Sequence, residues 1–292
     1  MTMKRILSYL VYFAAAAAVF LVFRFPHQAA AEKISRTCGT LFPGLNISMD
    51  RVDPKFPLRL KLENPVIRVA DTFTVAPEAF YIDIPVFSLP GSDRKIGFAV
   101  SLLNGEILGH ISGVSFYEHR YSGMKMDMTG IQIKALPLAL EGMTAQLSFD
   151  LSGRYEVPDR QNNPAGSGGL VLSAVTGTVQ NAFLNTLGIS TLDFDQITLA
   201  FVQTETEITI SELLAVGRIL NAKAKGRITL TGGSPLNAEN WTVSMEGSLH
   251  PQPSQVSRFA GLLPMENLFK TQPEKGIPFT VNGPATNLDI AL

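Results

Sequence analysis

The residues that most often carry chemistry are scattered along this chain. A bound metal needs three or four convergent ligands at short spacings, but His27, His110, His119 and His250 stand far apart, with no H-E-x-x-H or paired Cys/His pattern. Acyl transfer would announce itself by a G-x-S-x-G elbow, and nucleotide chemistry by a Walker loop or dinucleotide fingerprint; none of these is present. Glu118-His119-Arg120 is the densest polar cluster and has the side chains for general acid–base work. At strand spacing, however, neighbouring side chains point to opposite faces, so the cluster reads as an exposed strand end or turn. Asp150, Asp193 and Asp195 fall at positions expected to face water, where a solvated carboxylate does no chemistry. The sequence therefore predicts a protein that is not an enzyme, with no catalytic residue, no cofactor and no metal. The sequons Asn46-Ile47-Ser48 and Asn240-Trp241-Thr242 are read as chance matches.

The elements around these residues are strands with one wet face. Ala145, Leu147, Phe149 and Leu151 alternate with Thr144, Gln146, Ser148, Asp150 and Ser152. Ala222 to Thr231, Trp241 to Leu249, and Leu58 to Glu63 repeat the period of two, which puts every second side chain on one face of a sheet. Sheets with a single apolar face are antiparallel as a rule, because parallel sheets are covered on both sides. The expected fold is thus mainly β, with long antiparallel strands in a one-sided, folded or groove-like sheet. Leu147, Phe149, Leu151, Ile228, Leu230, Trp241, Val243 and Met245 are the candidate lining of an apolar groove. Asn104-Gly105 is the best type I′ hairpin candidate. Val256, Phe259, Ala260 and Leu263, bracketed by prolines, suggest one short amphipathic helix.

Ile6 to Phe23 is an unbroken run of apolar character, interrupted only by Ser8, Tyr9 and Tyr12. As a helix its eighteen residues reach roughly 27 Å, enough to span a bilayer. Ile6, Leu10, Phe13, Phe20 and Phe23 are the expected anchor residues, in contact with membrane lipids. Lys4 and Arg5 precede the run, so the positive-inside bias keeps the N-terminus cytoplasmic and exports the remainder. A cleaved signal peptide is the competing reading, because Ala29-Ala30-Ala31 offers small residues before Glu32; the length of the run favours a retained anchor. Cys38 follows Ser-Arg-Thr, which argues against a lipoprotein, and a single cysteine allows no internal disulfide.

The expected organisation is a cytoplasmic N-terminus and transmembrane helix over 1–25, a juxtamembrane linker or helix over 26–43, and a first β half over 44–157. A solvent loop over 158–169 and a second β half over 170–292 complete it, the loop being marked by the sequence PDRQNNPAGSGG. Residues 28–38 extend the membrane helix on this reading, with Gly39 ending it. Setting aside Lys4, Arg5 and Arg24 leaves 21 of the 24 basic residues against 25 acidic ones, so the exported part carries about −4 and no basic footprint for nucleic acid.

LFPGLNISMDRV after the apolar run, GRITLTGGSPLNAENWTVSMEGSLHPQP, and the closing IPFTVNGPATNLDIAL resemble type II secretion system protein N, the GspN family. The similarity runs in order along most of the chain and is strongest from Gly217 onward. Its pattern of G-x-apolar-x-apolar, a strand ending in Gly-x-apolar-x-Pro, and a final F-x-V-x-G is shared with the wider AsmA-like group of envelope proteins. The resemblance implies an inner-membrane-anchored, periplasmic accessory component of the bacterial type II secretion apparatus, a scaffold or assembly factor whose partners are other secretion components. The AsmA-like similarity implies an alternative, the handling of lipid or another hydrophobic ligand in an apolar trough.

Overall fold

In a computed structural model, the structure describes residues 24–42, 44–55, 59–69, 73–83, 95–114, 121–140, 143–158, 165–181, 191–231, 241–252, 276–285 and 287–291. The apolar run at 6–23, with Ile6, Leu10, Phe13, Phe20 and Phe23, lies outside these residues, as do His119 and the expected helix around Phe259. Among the described residues no helix is long and apolar enough to cross a membrane.

In chain order the elements are α1 (His27–Leu41), β1 (Leu45–Ser48), β2 (Arg51–Lys55), β3 (Arg59–Glu63), β4 (Val66–Val69), β5 (Phe73–Val75), β6 (Ala79–Asp83), β7 (Ile96–Leu102) and β8 (Gly105–Ser112). The longer strands follow: β9 (Gly123–Leu140), β10 (Met143–Val157), β11 (Gly166–Asn181), β12 (Thr191–Gln203), β13 (Glu207–Gly217), β14 (Leu220–Leu230), β15 (Trp241–Pro251), β16 (Ile277–Pro284) and β17 (Asp289–Ala291). Among the described residues β1, β4 and β5 form a small sheet, and the others form one antiparallel sheet of fourteen strands. Its order is β17-β16-β15-β14-β13-β12-β11-β10-β9-β8-β7-β6-β3-β2. From β6 to β17 each strand lies beside the next in sequence, the arrangement that short hairpin connections favour. The two ends, β2 and β17, do not pair with each other, so among the described residues the sheet is open.

α1 begins after Phe25-Pro26, where proline suits the first turn, and the alanines at 29–31 favour helix. It runs through Gly39 to Leu41, where the Phe42 N–H donates to the Cys38 carbonyl at 2.9 Å. This corrects the expectation that Gly39 ends the helix: Gly39 has no positive φ, and the last helical residue, Leu41, lies two residues later. A second correction concerns the loop expected over 158–169. Gly166 to Gly169 belong to β11, because glycine leaves room there for rings from the neighbouring strands: a side chain at Gly166 would meet the Tyr155 ring, and one at Gly168 would meet Phe201. β10 pairs directly with β11, so residues on both sides of that connection share one sheet. The β7–β8 hairpin also shifts by one residue. Leu103 and Asn104, at φ 50° and 62°, are its two central residues, and Gly105 opens β8, where the Gly130–Ile131 backbone approaches too closely for a side chain.

The longest strands carry bulges. Register shifts fall between Leu147 and Phe149, between Leu151 and Gly153, and between Ser148 and Asp150, with positive φ at Gly130, Ala135 and Ala174. Two bulge N–H groups are satisfied by serines: Gly130 N donates to Ser152 Oγ and Ala135 N to Ser148 Oγ, each at 3.0 Å. Bulges bend a strand and increase its twist, so the middle of this sheet is not flat.

Candidate functional site

The ladder registers place two rows of mostly apolar residues, crossing thirteen of the fourteen strands, on one face. One row of direct partners runs from Val281 through Met245, Gly226, Ile210, Phe201, Gly168, Tyr155, Met126, Gly109, Phe98 and Ile82 to Leu60 and Pro54. A second row runs from Phe279 through Gly247, Ala224, Leu213, Leu199, Leu170, Gly153, Met128, Ile107, Val100 and Phe80 to Leu62 and Val52. Neither row contains a charged residue. The bulge between Ile210 and Leu213 keeps both rows on the same side of β13.

Glycines in these rows make the surface low. A side chain at Gly168 would meet the Phe201 ring at 2.6 Å, one at Gly247 the Phe279 ring at 2.6 Å, and one at Gly109 the Phe98 ring. The large side chains therefore lie flat across the neighbouring strand, as aromatic residues do over strand glycines. Tyr155 stacks against Phe201 at 6.1 Å between ring centroids, and its hydroxyl donates to Gln203 Oε1 at 3.2 Å. Burial raises the Tyr155 phenol above its ordinary range.

All eight candidate groove residues stand on this face. Leu147, Phe149 and Leu151 come from β10, Ile228 and Leu230 from β14, and Trp241, Val243 and Met245 from β15; Ile228 is directly opposite Val243 and Leu230 opposite Trp241. Val243 is buried at 9% exposure, whereas the other seven are only half-buried. The alternation of Met124, Met126 and Met128 in β9 was visible in the sequence and marks the same face, as do Phe98, Phe201 and Tyr155. Short apolar runs do not reveal which face they join until the ladder is known.

Among the described residues the face is covered at one end and not at the other. Ile47 of β1, with Leu45, Ile67, Val75 and Cys38, packs onto Leu62, Phe80, Val100 and Leu102, forming the main buried cluster over β3, β6 and β7. Burial there pushes the Cys38 thiol up from its usual range. From β9 to β16, by contrast, the described strands make substantial contacts only with their ladder neighbours, and among the described residues no second layer lies across them.

The opposite face is polar and ion-paired across the ladder. Arg59 meets Asp83 at 2.6 Å, Arg154 meets Asp127 at 2.6 Å and Lys225 meets Glu246 at 3.1 Å, each pair directly opposed on adjacent strands. The Arg154 hydrogen bond holds the Asp127 carboxyl below the usual carboxylate range. Asp150 is exposed and Asp193 lies within reach of Arg218 at 3.5 Å, both on this wet side. His27 contacts the Val52 carbonyl and His250 contacts Ser248, so the described histidines, His27, His110 and His250, are not brought together. Among the described residues no three His, Cys, Asp or Glu side chains group closely enough to hold a metal ion.

What this arrangement offers is solvation of apolar matter along a sheet whose polar side keeps it in water. Comparison of the chain with protein-family models, with curated proteins and with solved structures finds no match.

Proposed function

We propose that this protein shields the acyl chains of lipid on the open apolar face of its sheet. The apolar run at 6–23 tethers it to the bacterial inner membrane, and the strands lie on the periplasmic side. The observation that carries this reading is the pair of uncharged rows crossing thirteen of the fourteen strands, left without a covering layer among the described residues from β9 to β16. The seven ladder steps from β9 to β16 span about 34 Å. The eleven residues of β14 reach about 36 Å along the strand, so this face is on the order of 1,000 Å². Proteins in water rarely expose contiguous apolar patches beyond a few hundred Å², and such surface marks a binding site. Its breadth exceeds the roughly 30 Å hydrocarbon thickness of a bilayer, room for more than one acyl chain.

Photo-crosslinking in intact membranes tests the reading with the full chain. A benzoylphenylalanine at position 149 or 245, on the apolar face, is expected to give lipid adducts, and one at 150 or 244, on the polar face, none. Absence of lipid adducts from all four positions overturns the proposal.

The second reading is the type II secretion scaffold implied by the resemblance to protein N. The observation in its favour is the open sheet: β2 and β17 are edges whose outward N–H and C=O groups can recruit a strand from a partner. On that reading protein adducts come from positions in β2 or β17, and lipid adducts are absent from β10 and β15.

A further inference from the structure

We infer that Trp241 is a polar hook for the ester group of the bound lipid, an assignment that rests on the acyl-chain reading. Its indole Nε1 is shut off from solvent and meets no hydrogen-bond acceptor among the described residues. Buried indole N–H groups usually find an acceptor, so this one is a donor waiting for an oxygen that the described residues around it do not supply. The ring stands on the apolar face opposite Leu230 and next in phase to Val243, neither of which carries an acceptor on its side chain. Only the backbone of Trp241 is engaged, its carbonyl accepting from the Ala285 N–H at 2.8 Å.

Position suits the role. Trp241 is the first residue of β15, at one long margin of the sheet, while Val243 and Met245 continue the apolar face inward. A lipid lying along β15 would place its hydrocarbon over Val243 and Met245 and the start of its polar portion at the margin. Tryptophan favours this boundary because one end of its ring system is apolar and the other donates a hydrogen bond. The donor calls for an acceptor oxygen carried at the end of an acyl chain. An ester carbonyl and a headgroup phosphate both offer one; the carbonyl is assigned here because it is the oxygen joined directly to the hydrocarbon.

Trp241 is the chain's single tryptophan, so its indole gives one ¹⁵N–¹H signal. The full chain is reconstituted in nanodiscs of diether phosphatidylglycerol, which carries the phosphate but no ester carbonyl, and diester phosphatidylglycerol with the same chains is titrated in. The indole proton is expected to move downfield with the diester lipid and to stay unmoved with added hexadecane. Trp241→Phe keeps an aromatic ring and removes the donor. Labelling of this variant by a photoreactive diester lipid is expected to need about three- to tenfold more lipid, the loss of one hydrogen bond, with labelling by a photoreactive alkane unchanged. No shift with the diester lipid, or equal weakening of lipid and alkane labelling in the variant, overturns the hook. Alkane labelling that persists in that case leaves the acyl-chain reading standing, whereas failure of both lipid and alkane to label the wild-type face removes that reading itself.

Discussion

A carboxylate introduced on the apolar face should act very differently from one introduced a single residue away. Val243 is 9% exposed, between Ile228 on β14 and Gly283 on β16. Val243→Asp loses about 2 kcal/mol of apolar transfer free energy and leaves a shielded carboxyl without a partner, about 2 kcal/mol more. A total of about 4 kcal/mol is a large share of an ordinary stability of about 5–15 kcal/mol, and corresponds to a fall in Tm of roughly 10 °C. Ser244 is exposed on the other face, where its hydroxyl donates to Asn282 Oδ1 at 3.0 Å and Arg227 stands directly opposite. Ser244→Asp loses that hydrogen bond of about 1 kcal/mol and gains a cross-strand charge pair of about 0.2–1 kcal/mol, so it should be close to neutral. pH separates the two further. Burial raises the pKa of the new carboxyl at position 243 in the folded state, so that state holds the proton more tightly than the unfolded chain does. The Val243→Asp penalty is therefore smallest below about pH 3.9 and grows as pH rises through neutrality. Thermal unfolding of the full chain in detergent, followed by far-ultraviolet circular dichroism, reads both effects. Equal losses at positions 243 and 244, or a Val243→Asp penalty that does not grow with pH, would refute the assignment of faces.

The Arg154 hydrogen bond depresses the Asp127 carboxyl, so its contribution is present above the unfolded carboxylate pKa and lost as pH falls through the lower folded value. Arg154→Ala should return the Asp127 titration to the ordinary carboxylate range by NMR, and an unchanged titration would show that the pair does not form. Cys38 sits against the main apolar cluster with its thiol pushed up, so it should react slowly with a thiol reagent at pH 8 until denaturant is added; immediate reaction would place it outside the cluster. A phosphatase fused after Gly39 should be active and the same fusion after Lys4 inactive, with Met1 or Thr2 retained at the N-terminus of the mature protein. An N-terminus at Glu32 would mean a cleaved signal in place of a tether.

Period-two alternation was legible in the sequence because it depends only on the geometry of an extended chain. From it follow the antiparallel strands, the wet face of Thr144 to Ser152, and the apolar character of Leu147, Phe149, Ile228 and Val243. Alternation does not reveal whether an apolar face is covered, since a closed core and an open groove require the same pattern. That was decided by tertiary structure, where α1 and the small sheet of β1, β4 and β5 pack over β3, β6 and β7 but no described element reaches across β9 to β16. Register was also a tertiary matter. Bulges at Gly130, Ala135 and Ala174 shift the ladder by a residue wherever strand lengths disagree, and only with those shifts do Phe201, Tyr155 and Met126 fall into one row. The glycines of β11 read as loop because glycine is rare in strands; in the sheet they lie where Tyr155 and Phe201 come down flat, a contact between strands that no local pattern contains.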